Sequence, residues 1–381
     1  MPSNSAPQIL ISAGEASGDM HAARLATALQ ARTGAHIFGM GGPRMREAGV
    51  EIIADAKEIA VLGITEVIHK VPTVLRILRR LRKEAAIRKP ALAILVDSPG
   101  TNLPLAKKLH RLNIPVVYFI APQVWAWRPW RIHAMKKNLR GVLVIFPFEE
   151  EIYRKAGIPV HFIGHPLVDV VKPNATRAEF LAAQGLDPSK SVVALLPGSR
   201  PTEISLNLPA MLDACEGLAR DLRPQFTMAA APGLEEGFFQ RYLRPGLAIK
   251  RIAGAPYDVL ASADCAIVSS GTATVEAALL GTPMVVVYRV SQTSAFILRR
   301  MIRAPFLAMV NLIAGKRVVP ELVQDDFTGP RVEAEVRRLL GSAAEQEEMK
   351  RELAEVRRRL GSGGAIDRAA DALAAMLPAK S

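Results

Sequence analysis

Several features that mark other classes of protein are missing from this chain of 381 residues. It has two cysteines, Cys215 and Cys265, and each lies inside a regular secondary-structure pattern, which argues against a disulfide framework or a cysteine metal site. No apolar run approaches the roughly 18 residues that span a bilayer. Residues 1–20 lack the basic and apolar regions of a secretory signal. We therefore expect a cytoplasmic protein.

Metal-ligand patterns are equally scarce. All seven histidines precede residue 166, and no acidic DxD pattern follows a predicted strand. The sequence therefore supports no metal site, and we expect no cofactor. The formal net charge is +13, which indicates an anionic partner such as nucleic acid, an acidic lipid surface or a phosphorylated substrate. Charge alone does not choose among these three.

Short β-type runs alternate with helical runs along the chain, a pattern typical of α/β proteins with parallel sheets. The predicted strands are 8–13, 36–40, 92–97, 116–120, 142–146 and 160–164, then 192–198, 226–231, 265–270 and 284–289. A polar, proline-containing stretch at 166–190 separates the two series. We therefore predict two Rossmann-like domains, with a cleft between the carboxyl ends of their sheets.

The C-terminal part differs in pattern. A charged helical run at 331–360 ends at the glycine-rich break 361–364, and a final helix is predicted at 365–376. The predicted division is an N-terminal domain at 1–168, a C-terminal domain at 169–350 and a helical segment at 351–381.

The stretch 264–289 is the most informative in the chain. An apolar β-branched run stops at Ser269-Ser270-Gly271, a helix is predicted from Thr272 to Leu280, Gly281 ends it, and a second buried strand follows. The helix start offers free N–H groups and a positive dipole end to a phosphate. Glu276, about one turn inside, has the chemistry to bind the two hydroxyls of a ribose. The alternative is an ordinary helix capped by Ser270 or Thr272, in which Glu276 supports the dipole.

The stretch 195–204 repeats the strand, turn and helix pattern. Arg200, just after Gly198-Ser199, is placed to hold a diphosphate through paired charge-assisted bonds. A solvated surface arginine is the alternative.

Acidic residues follow two predicted strands of the first half. Glu15 and Asp19 lie in a glycine-containing turn after the first strand, and Asp19 has the alternative role of a helix-start residue. Asp97 ends a strand, where a general base belongs. The alternative is that Asp97, like Asn102, only caps the turn.

All three tryptophans lie within 121–131. They either stack on a base or sugar or form a buried loop wall, and we favour the loop wall.

A second segment, 70–89, has apolar residues at helical spacing that alternate with basic ones. This pattern is typical of a helix at an anionic membrane surface, and the alternative is a core-packed helix with a solvated basic face. The apolar positions are Val71, Val74, Leu75, Leu78 and Leu81. The stretch 294–317 alternates similarly around Arg299, Arg300 and Arg303.

Seven segments resemble those of the lipid-A-disaccharide synthase family, in matching order over about residues 8–330. They are GEASGD (14–19), DSPGTN (97–102), PQVWAWRPWR (122–131), FIGHPLVD (162–169), LPGSRPTEI (196–204), SSGTATVEAALLGTPMVV (269–286) and VNLIAGKRVVPELVQ (310–324). The resemblance implies a metal-independent, inverting glycosyltransferase of the two-Rossmann-domain, B type. Its substrates would be UDP-2,3-diacylglucosamine and 2,3-diacylglucosamine 1-phosphate, and its products a β-1,6-linked disaccharide 1-phosphate and UDP. It also implies a C-terminal segment that packs across the domains or is exchanged in a homodimer.

The resemblance also assigns residues. Asp97 would be the base, with Glu15 as the competing base and Asn311 lining the reaction centre. The UDP-sugar would be held by Ser199, Arg200, Ser270, Gly271, Thr272 and Glu276. Acyl-chain substrates imply peripheral association with the anionic inner-membrane surface.

Two rival functions remain at this point. Another UDP-N-acetylglucosamine enzyme, a 2-epimerase or a peptidoglycan glycosyltransferase, would share the fold, but the tryptophan loop and the basic-apolar helix argue against it. A nucleic-acid-binding protein would suit the charge, but no RRM, OB or helix-turn-helix pattern occurs, so we expect no nucleic-acid partner.

Overall fold

A computed structural model describes residues 6–58, 64–125, 129–230, 236–242, 244–291 and 305–378. The chain folds into two compact units. The first comprises Met1–Pro166 together with Leu360–Ser381, and the second comprises Leu167–Arg359. The chain therefore leaves the first unit after Pro166 and returns to it at Leu360.

The first unit contains a seven-stranded parallel sheet in the order β3-β2-β1-β4-β5-β6-β7. Its strands are β1 (Gln8–Ala13), β2 (His36–Gly41), β3 (Glu51–Asp55), β4 (Leu92–Val96), β5 (Val116–Phe119), β6 (Gly141–Val144) and β7 (Val160–Phe162). Every residue of β4 is buried, as expected for a central strand of a parallel sheet, whose apolar run is covered on both faces.

The second unit contains a six-stranded parallel sheet in the order β10-β9-β8-β11-β12-β13. Its strands are β8 (Val192–Leu196), β9 (Gln225–Ala230), β10 (Ile249–Ala253), β11 (Cys265–Ser269), β12 (Met284–Tyr288) and β13 (Glu321–Val323). In both sheets the order reverses beside the first strand, at β1 and β4 and again at β8 and β11. These are the topological switch points of Rossmann-like folds.

Helices connect the strands. Those of the first unit are Ala16–Thr33, Pro43–Glu47, Ile64–Arg88, Pro99–His110, Arg131–Asn138, Pro147–Lys155 and Ala365–Ala374. Those described in the second unit are Leu167–Val170, Arg177–Ala183, Pro201–Ala219, Glu236–Gln240, Pro256–Ala261, Thr272–Leu280, Met309–Ala314, Gly329–Gly341 and Ala343–Arg359. Within the described ranges, no helix is both long enough and apolar enough to cross a bilayer.

The C-terminal helix Ala365–Ala374 packs against helix Ala16–Thr33 of the first unit. Arg32 joins them, because its guanidinium donates to Asp371 at 2.6 Å and to Asp367 at 2.8 Å. The return of the chain is anchored by the His165 amide, which donates to the Leu360 carbonyl at 2.8 Å.

The α/β class and the ten predicted strands are confirmed, but three strands were missed. β3, β10 and β13 are all outer strands of their sheets. An outer strand is only partly buried, so its sequence lacks the continuous apolar run of a central strand. The single charged helical run predicted at 331–360 is wrong: it is two helices that meet at Ser342.

Candidate active site

The residues predicted to carry chemistry lie at the two switch points. Glu15 follows β1 and Asp97 follows β4, so the first unit brings these two carboxylates to one edge of its sheet. In the second unit Arg200 follows β8 and Ser270 follows β11, again on neighbouring strands. Ligands of open α/β sheets bind outside the carboxyl ends of strands at such points.

Asp97 lies in a left-handed backbone conformation, with φ of 46°, and Ser98 follows with φ of 47°. Burial, and to a smaller extent the negative charge of Glu15, raise the pKa of Asp97 to about 6, while a bond from the Ser98 amide acts in the opposite direction. A carboxylate with this pKa is mostly ionised at neutral pH, yet basic enough to take a proton.

Two buried side chains hold the Asp97 turn. The Asn102 amide donates to the carbonyls of Asp97 and Val96 at 2.9 Å each and of Ser12 at 3.1 Å, and its oxygen accepts the Ser12 hydroxyl at 2.7 Å. The Tyr118 hydroxyl also donates to the Asp97 carbonyl. Asn102 thus ties the ends of β1 and β4 together, which is more than the local cap that its sequence position suggested.

The two acids after β1 have different surroundings. Glu15 is exposed at the start of helix Ala16–Thr33 and its side chain does not cap it. Asp19 is buried and accepts the amides of Gly42 at 2.6 Å, Arg44 at 3.0 Å and Met45 at 3.2 Å. Asp19 therefore caps helix Pro43–Glu47 and has a structural role.

Arg200 lies exposed at the N-cap of helix Pro201–Ala219, directly after exposed Ser199. Glu203 braces this turn, since it accepts the Ser199 amide at 2.9 Å and the Ser269 hydroxyl at 3.2 Å. Gly198 has φ of 129°, and a Cβ there would lie 2.5 Å from the Glu203 side chain, so only glycine fits.

Asn207 is the counterpart of Asn102 in the second unit. Fully buried, it donates to the Pro197 carbonyl at 3.0 Å and to the Ser269 hydroxyl at 3.1 Å, and it accepts the Arg289 amide at 3.1 Å. It therefore ties β8, β11 and β12 at their carboxyl ends. The sequence analysis missed both Glu203 and Asn207, although both lie within one or two turns of Arg200.

The start of helix Thr272–Leu280 has no side-chain cap among the described residues. Gly271 is the N-cap residue and Thr272 is exposed, whereas the Ser270 hydroxyl donates to the Leu307 carbonyl at 3.2 Å. The alternative of a helix capped by Ser270 or Thr272 is therefore wrong. The helix start keeps first-turn N–H groups that no described side chain caps, as an anion site requires.

Glu276 is largely buried, and burial raises its pKa. The Tyr257 hydroxyl donates to its Oε1 at 3.4 Å from the helix Pro256–Ala261. A carboxyl group oriented in this way, about one turn into the helix after the Gly271 turn, has the acceptors needed for paired hydroxyl groups. Tyr257 had no signal in the sequence.

Asn311 is fully buried, and both the nitrogen and the oxygen of its side-chain amide make hydrogen bonds. It donates to the Val319 carbonyl at 2.9 Å and to Glu321 at 2.7 Å, while its oxygen accepts the amides of Val318 at 2.7 Å and Val319 at 3.0 Å. Glu321 in turn accepts the amides of Leu307 and Ala308 at 3.0 Å each. Asn311 and Glu321 thus hold the segment to which Ser270 bonds.

The helix predicted to meet a membrane is Ile64–Arg88. The predicted apolar face is split: Leu78 and Leu81 are buried in the core, whereas Val71 and Leu75 are 47% and 43% exposed. The basic residues Arg76, Arg79 and Arg80 are all exposed. The helix therefore packs on the core at Leu78 and Leu81 and exposes apolar and basic side chains elsewhere, and its contact with a membrane stays a prediction.

The tryptophan loop is described in part. Trp125 is half-buried, and its indole N–H donates to Glu149 at 3.1 Å, in keeping with the loop-wall interpretation, whereas Trp130 is 61% exposed. Trp127 and Arg128 lie outside the described residues, as do Arg299, Arg300 and Arg303.

Within the described part of the chain, no group of three or more His, Cys, Asp or Glu residues is arranged to hold a metal ion.

The fold is that of two-domain, B-type glycosyltransferases and UDP-GlcNAc 2-epimerases. The calicheamicin glycosyltransferase CalG4 superposes with a TM-score of 0.61 at 17% identity, covering 97% of this chain and 98% of that one. The UDP-GlcNAc 2-epimerase from Neisseria meningitidis, in a structure bound to UDP-GlcNAc, superposes with a TM-score of 0.67 at 13% identity, covering 96% and 99%.

Sequence similarity identifies the family of this chain within that class of fold. The chain belongs to the Lipid-A-disaccharide synthetase family, whose sequence pattern matches residues 9–376. A protein named lipid-A-disaccharide synthase from Myxococcus xanthus is 45% identical over 376 residues, covering 98% of each chain. The resemblance seen in the sequence motifs is thereby confirmed.

Proposed function

We propose that the chain is a hexosyltransferase that joins UDP-2,3-diacylglucosamine to 2,3-diacylglucosamine 1-phosphate. Family membership implies nucleotide-sugar and lipid-sugar substrates. The observation that carries the chemistry is Asp97, a largely buried carboxylate with a pKa of about 6, fixed on a left-handed turn at a switch point. The products are a β-1,6-linked disaccharide 1-phosphate and UDP.

In the reaction, the acceptor 6-hydroxyl attacks the anomeric carbon of the UDP-sugar from the face opposite UDP. As the new carbon–oxygen bond forms, Asp97 takes the hydroxyl proton and the bond to the diphosphate breaks, which inverts the anomeric centre. Glu15 is the competing base. Its side chain is exposed, and its negative charge raises the pKa of Asp97.

The second unit is proposed to hold the UDP moiety. Arg200 and Ser199 contact the diphosphate together with the N–H groups at Gly271 and Thr272, so fixed positive charge meets the negative charge that grows on the leaving group. Glu276 accepts the ribose hydroxyls. Ser270 and Asn311 act indirectly, because their hydrogen bonds hold the segment around Leu307.

We also propose that the exposed part of helix Ile64–Arg88 binds the anionic inner-membrane surface from the cytoplasm. Val71 and Leu75 supply exposed apolar surface, and the neighbouring arginines supply attraction to acidic lipid. Peripheral attachment suits an enzyme whose two substrates carry acyl chains. A homodimer that exchanges the C-terminal segment remains a prediction, and light scattering tests whether the dimer forms.

The decisive experiment is incubation of the purified chain with UDP-2,3-diacylglucosamine and 2,3-diacylglucosamine 1-phosphate, with products read by mass. The expected result is stoichiometric disaccharide 1-phosphate and UDP. A matched incubation with UDP-GlcNAc alone tests the epimerase alternative, and conversion there without disaccharide formation would contradict the proposal.

A further inference from the structure

Helix Pro147–Lys155 places two buried polar side chains against the loop that opens the tryptophan cluster. Glu149, 1% exposed, accepts the Trp125 indole N–H on one oxygen at 3.1 Å and the Phe146 amide on the other at 3.3 Å. Tyr153, fully buried and one turn further, donates its hydroxyl to the Pro122 carbonyl at 2.8 Å. Residues four apart lie on one helical face, so a single face holds both ends of loop 122–125.

Aromatic packing fixes the same indole from another side. The ring of Trp125 meets that of Phe148 edge to face with centroids 4.9 Å apart, and Phe148 stacks on Phe146 at 5.7 Å. Phe146 in turn contacts the His165 ring at 5.2 Å. Trp125 is therefore held by both a directional bond and ring contacts, which specify one orientation of the indole.

A carboxyl group in this position is costly for the fold. Burial raises the pKa of Glu149 to about 8, against the opposing effect of the N–H groups that point at it. An apolar side chain of similar volume would avoid that desolvation cost. What Glu149 provides, and an apolar residue would not, is a fixed acceptor for the Trp125 N–H.

Loop 122–125 lies next to the strand whose Tyr118 supports the Asp97 turn. It follows β5 directly, and β5 contains Tyr118, whose hydroxyl donates to the Asp97 carbonyl. Ile120, between them, turns the chain with φ of 57°. The carboxyl ends of β4 and β5 are neighbours in the sheet. Loop 122–125 therefore lies beside the strand end that carries the proposed base.

We propose that Glu149 and Tyr153 are positioning residues for the acceptor sugar: by fixing Pro122 and Trp125, they place loop 122–125 as a wall of the acceptor site next to Asp97. This inference rests on the proposed function. Its expected signature is a change in acceptor KM with little change in the UDP-sugar KM, because the residues proposed to hold UDP belong to the other unit.

The test uses variants that each remove one donor or acceptor, with the side-chain volume nearly kept in Tyr153→Phe and Glu149→Leu and reduced in Trp125→Phe. Trp125→Phe and Tyr153→Phe each delete one hydrogen bond to or from the loop, and Glu149→Leu deletes the acceptor, whereas Glu149→Gln keeps a carbonyl oxygen for the indole. We expect the first three to raise acceptor KM roughly 2- to 12-fold, and Glu149→Gln to restore most of the wild-type value. Tyr242→Phe, which removes a hydroxyl bonded to Ser205 in the second unit, is the matched control and should leave acceptor KM unchanged.

Indole fluorescence supplies a readout that does not depend on activity. In a Trp127→Phe, Trp130→Phe background, Trp125 is the remaining tryptophan. Its emission should shift with Glu149→Leu and stay near the parent value with Glu149→Gln. An emission unmoved by Glu149→Leu would overturn the contact.

Unchanged acceptor KM in folded Trp125→Phe, Tyr153→Phe and Glu149→Leu proteins would overturn this inference alone. Equal rises in both KM values would overturn the assignment to the acceptor. A wild-type chain that makes no disaccharide would instead remove the proposed function and this inference together.

Discussion

The side-chain amide of Asn102 lies 2.9 Å from the carbonyl oxygen of Asp97, so the proposed base sits on a turn that a fully buried residue fixes. The backbone of Asp97 is left-handed, a conformation that a non-glycine residue keeps only where its surroundings enforce it. The position of the carboxylate therefore depends on Asn102 as much as on β4.

Asn102→Ala should lower both stability and turnover. It removes the side-chain donor to the carbonyls of Ser12 and Val96 and leaves the Asp97 carbonyl with the Tyr118 hydroxyl alone, which costs about 1–3 kcal/mol of unfolding free energy, and it loosens the turn that carries the base. Denaturant unfolding and kcat measure the two effects. The matched control is Asn207→Ala, the counterpart in the second unit, which should lose comparable stability but keep the pH profile of the base. Equal pH profiles for the Asn102 variant and wild type would contradict the positioning role.

Asp97→Asn should reduce kcat by ~100- to 10,000-fold, because a general base is lost, while UDP affinity remains near wild type. In the wild type, kcat/KM should fall as the pH drops through about 6, since protonated Asp97 cannot accept the hydroxyl proton. Glu15→Gln removes a nearby negative charge and should move this acidic limb to lower pH. Retained turnover in the Asp97 variant, together with loss in Glu15→Gln, would transfer the base role to Glu15.

Arg200→Ala should weaken UDP binding and also lower kcat, because the charge on the diphosphate grows in the transition state. Glu276→Ala should weaken UDP binding through the ribose and affect kcat less. Isothermal titration and steady-state kinetics separate the two. Arg220→Ala is the control, since this exposed arginine is at the opposite end of the same helix. A rate that EDTA abolishes would show that the leaving group needs more than these fixed charges.

The buried carboxyl group of Glu149 should make the free energy of unfolding decrease as the pH rises. Its pKa is raised to about 8 in the folded state from 4.5, so the folded chain binds more protons between these values and loses stability as pH rises through that window. Glu149→Gln should remove this dependence, so the Tm difference between variant and wild type should shift in favour of the variant from pH 5 to pH 8. Wild type and variant must be compared at each pH, because burial lowers the pKa values of His21 and His165. These two groups make the stability of both proteins rise with pH at the acidic end. A Tm difference that stays constant with pH would contradict the burial effect.

Replacing Arg76, Arg79 and Arg80 by Ser should reduce sedimentation with anionic vesicles and raise the apparent KM for membrane-presented substrate. Each basic residue near an acidic surface contributes about 1 kcal/mol, which salt screens. Activity on detergent-dispersed substrate should change little. Ile87→Ser, at a 66% exposed position near the other end of the helix, is the control. Vesicle binding that is undiminished and insensitive to salt would exclude this surface.

The local sequence pattern was sufficient to predict the central strands of the fold and the turns and helices that follow them. The helix predicted at 272–280 has those bounds, because the β-branched run before it, the Ser-Ser-Gly turn and the left-handed Gly281 after it are all local signals. The carboxyl ends of β1, β4, β8 and β11 were likewise readable as ligand positions, since strands and turns follow from short-range periodicity. The family resemblance followed from the same motifs.

Long-range packing decided the rest. Asn102 reaches a strand 90 residues away, and Glu149 reaches Trp125 across 24 residues, distances over which no periodicity connects partners. The same is true of Leu78 and Leu81, which share helical spacing with Val71 and Leu75 but are buried because the core covers only part of that helix. Sequence alone therefore determined the ten other strands of the two sheets and the residues that follow them, whereas the strand order with its switch points and the outer strands β3, β10 and β13 came from the structure. The raised pKa of Asp97, the support of its turn and the exposed part of the basic helix depend on desolvation and contacts that exist only once the chain has folded.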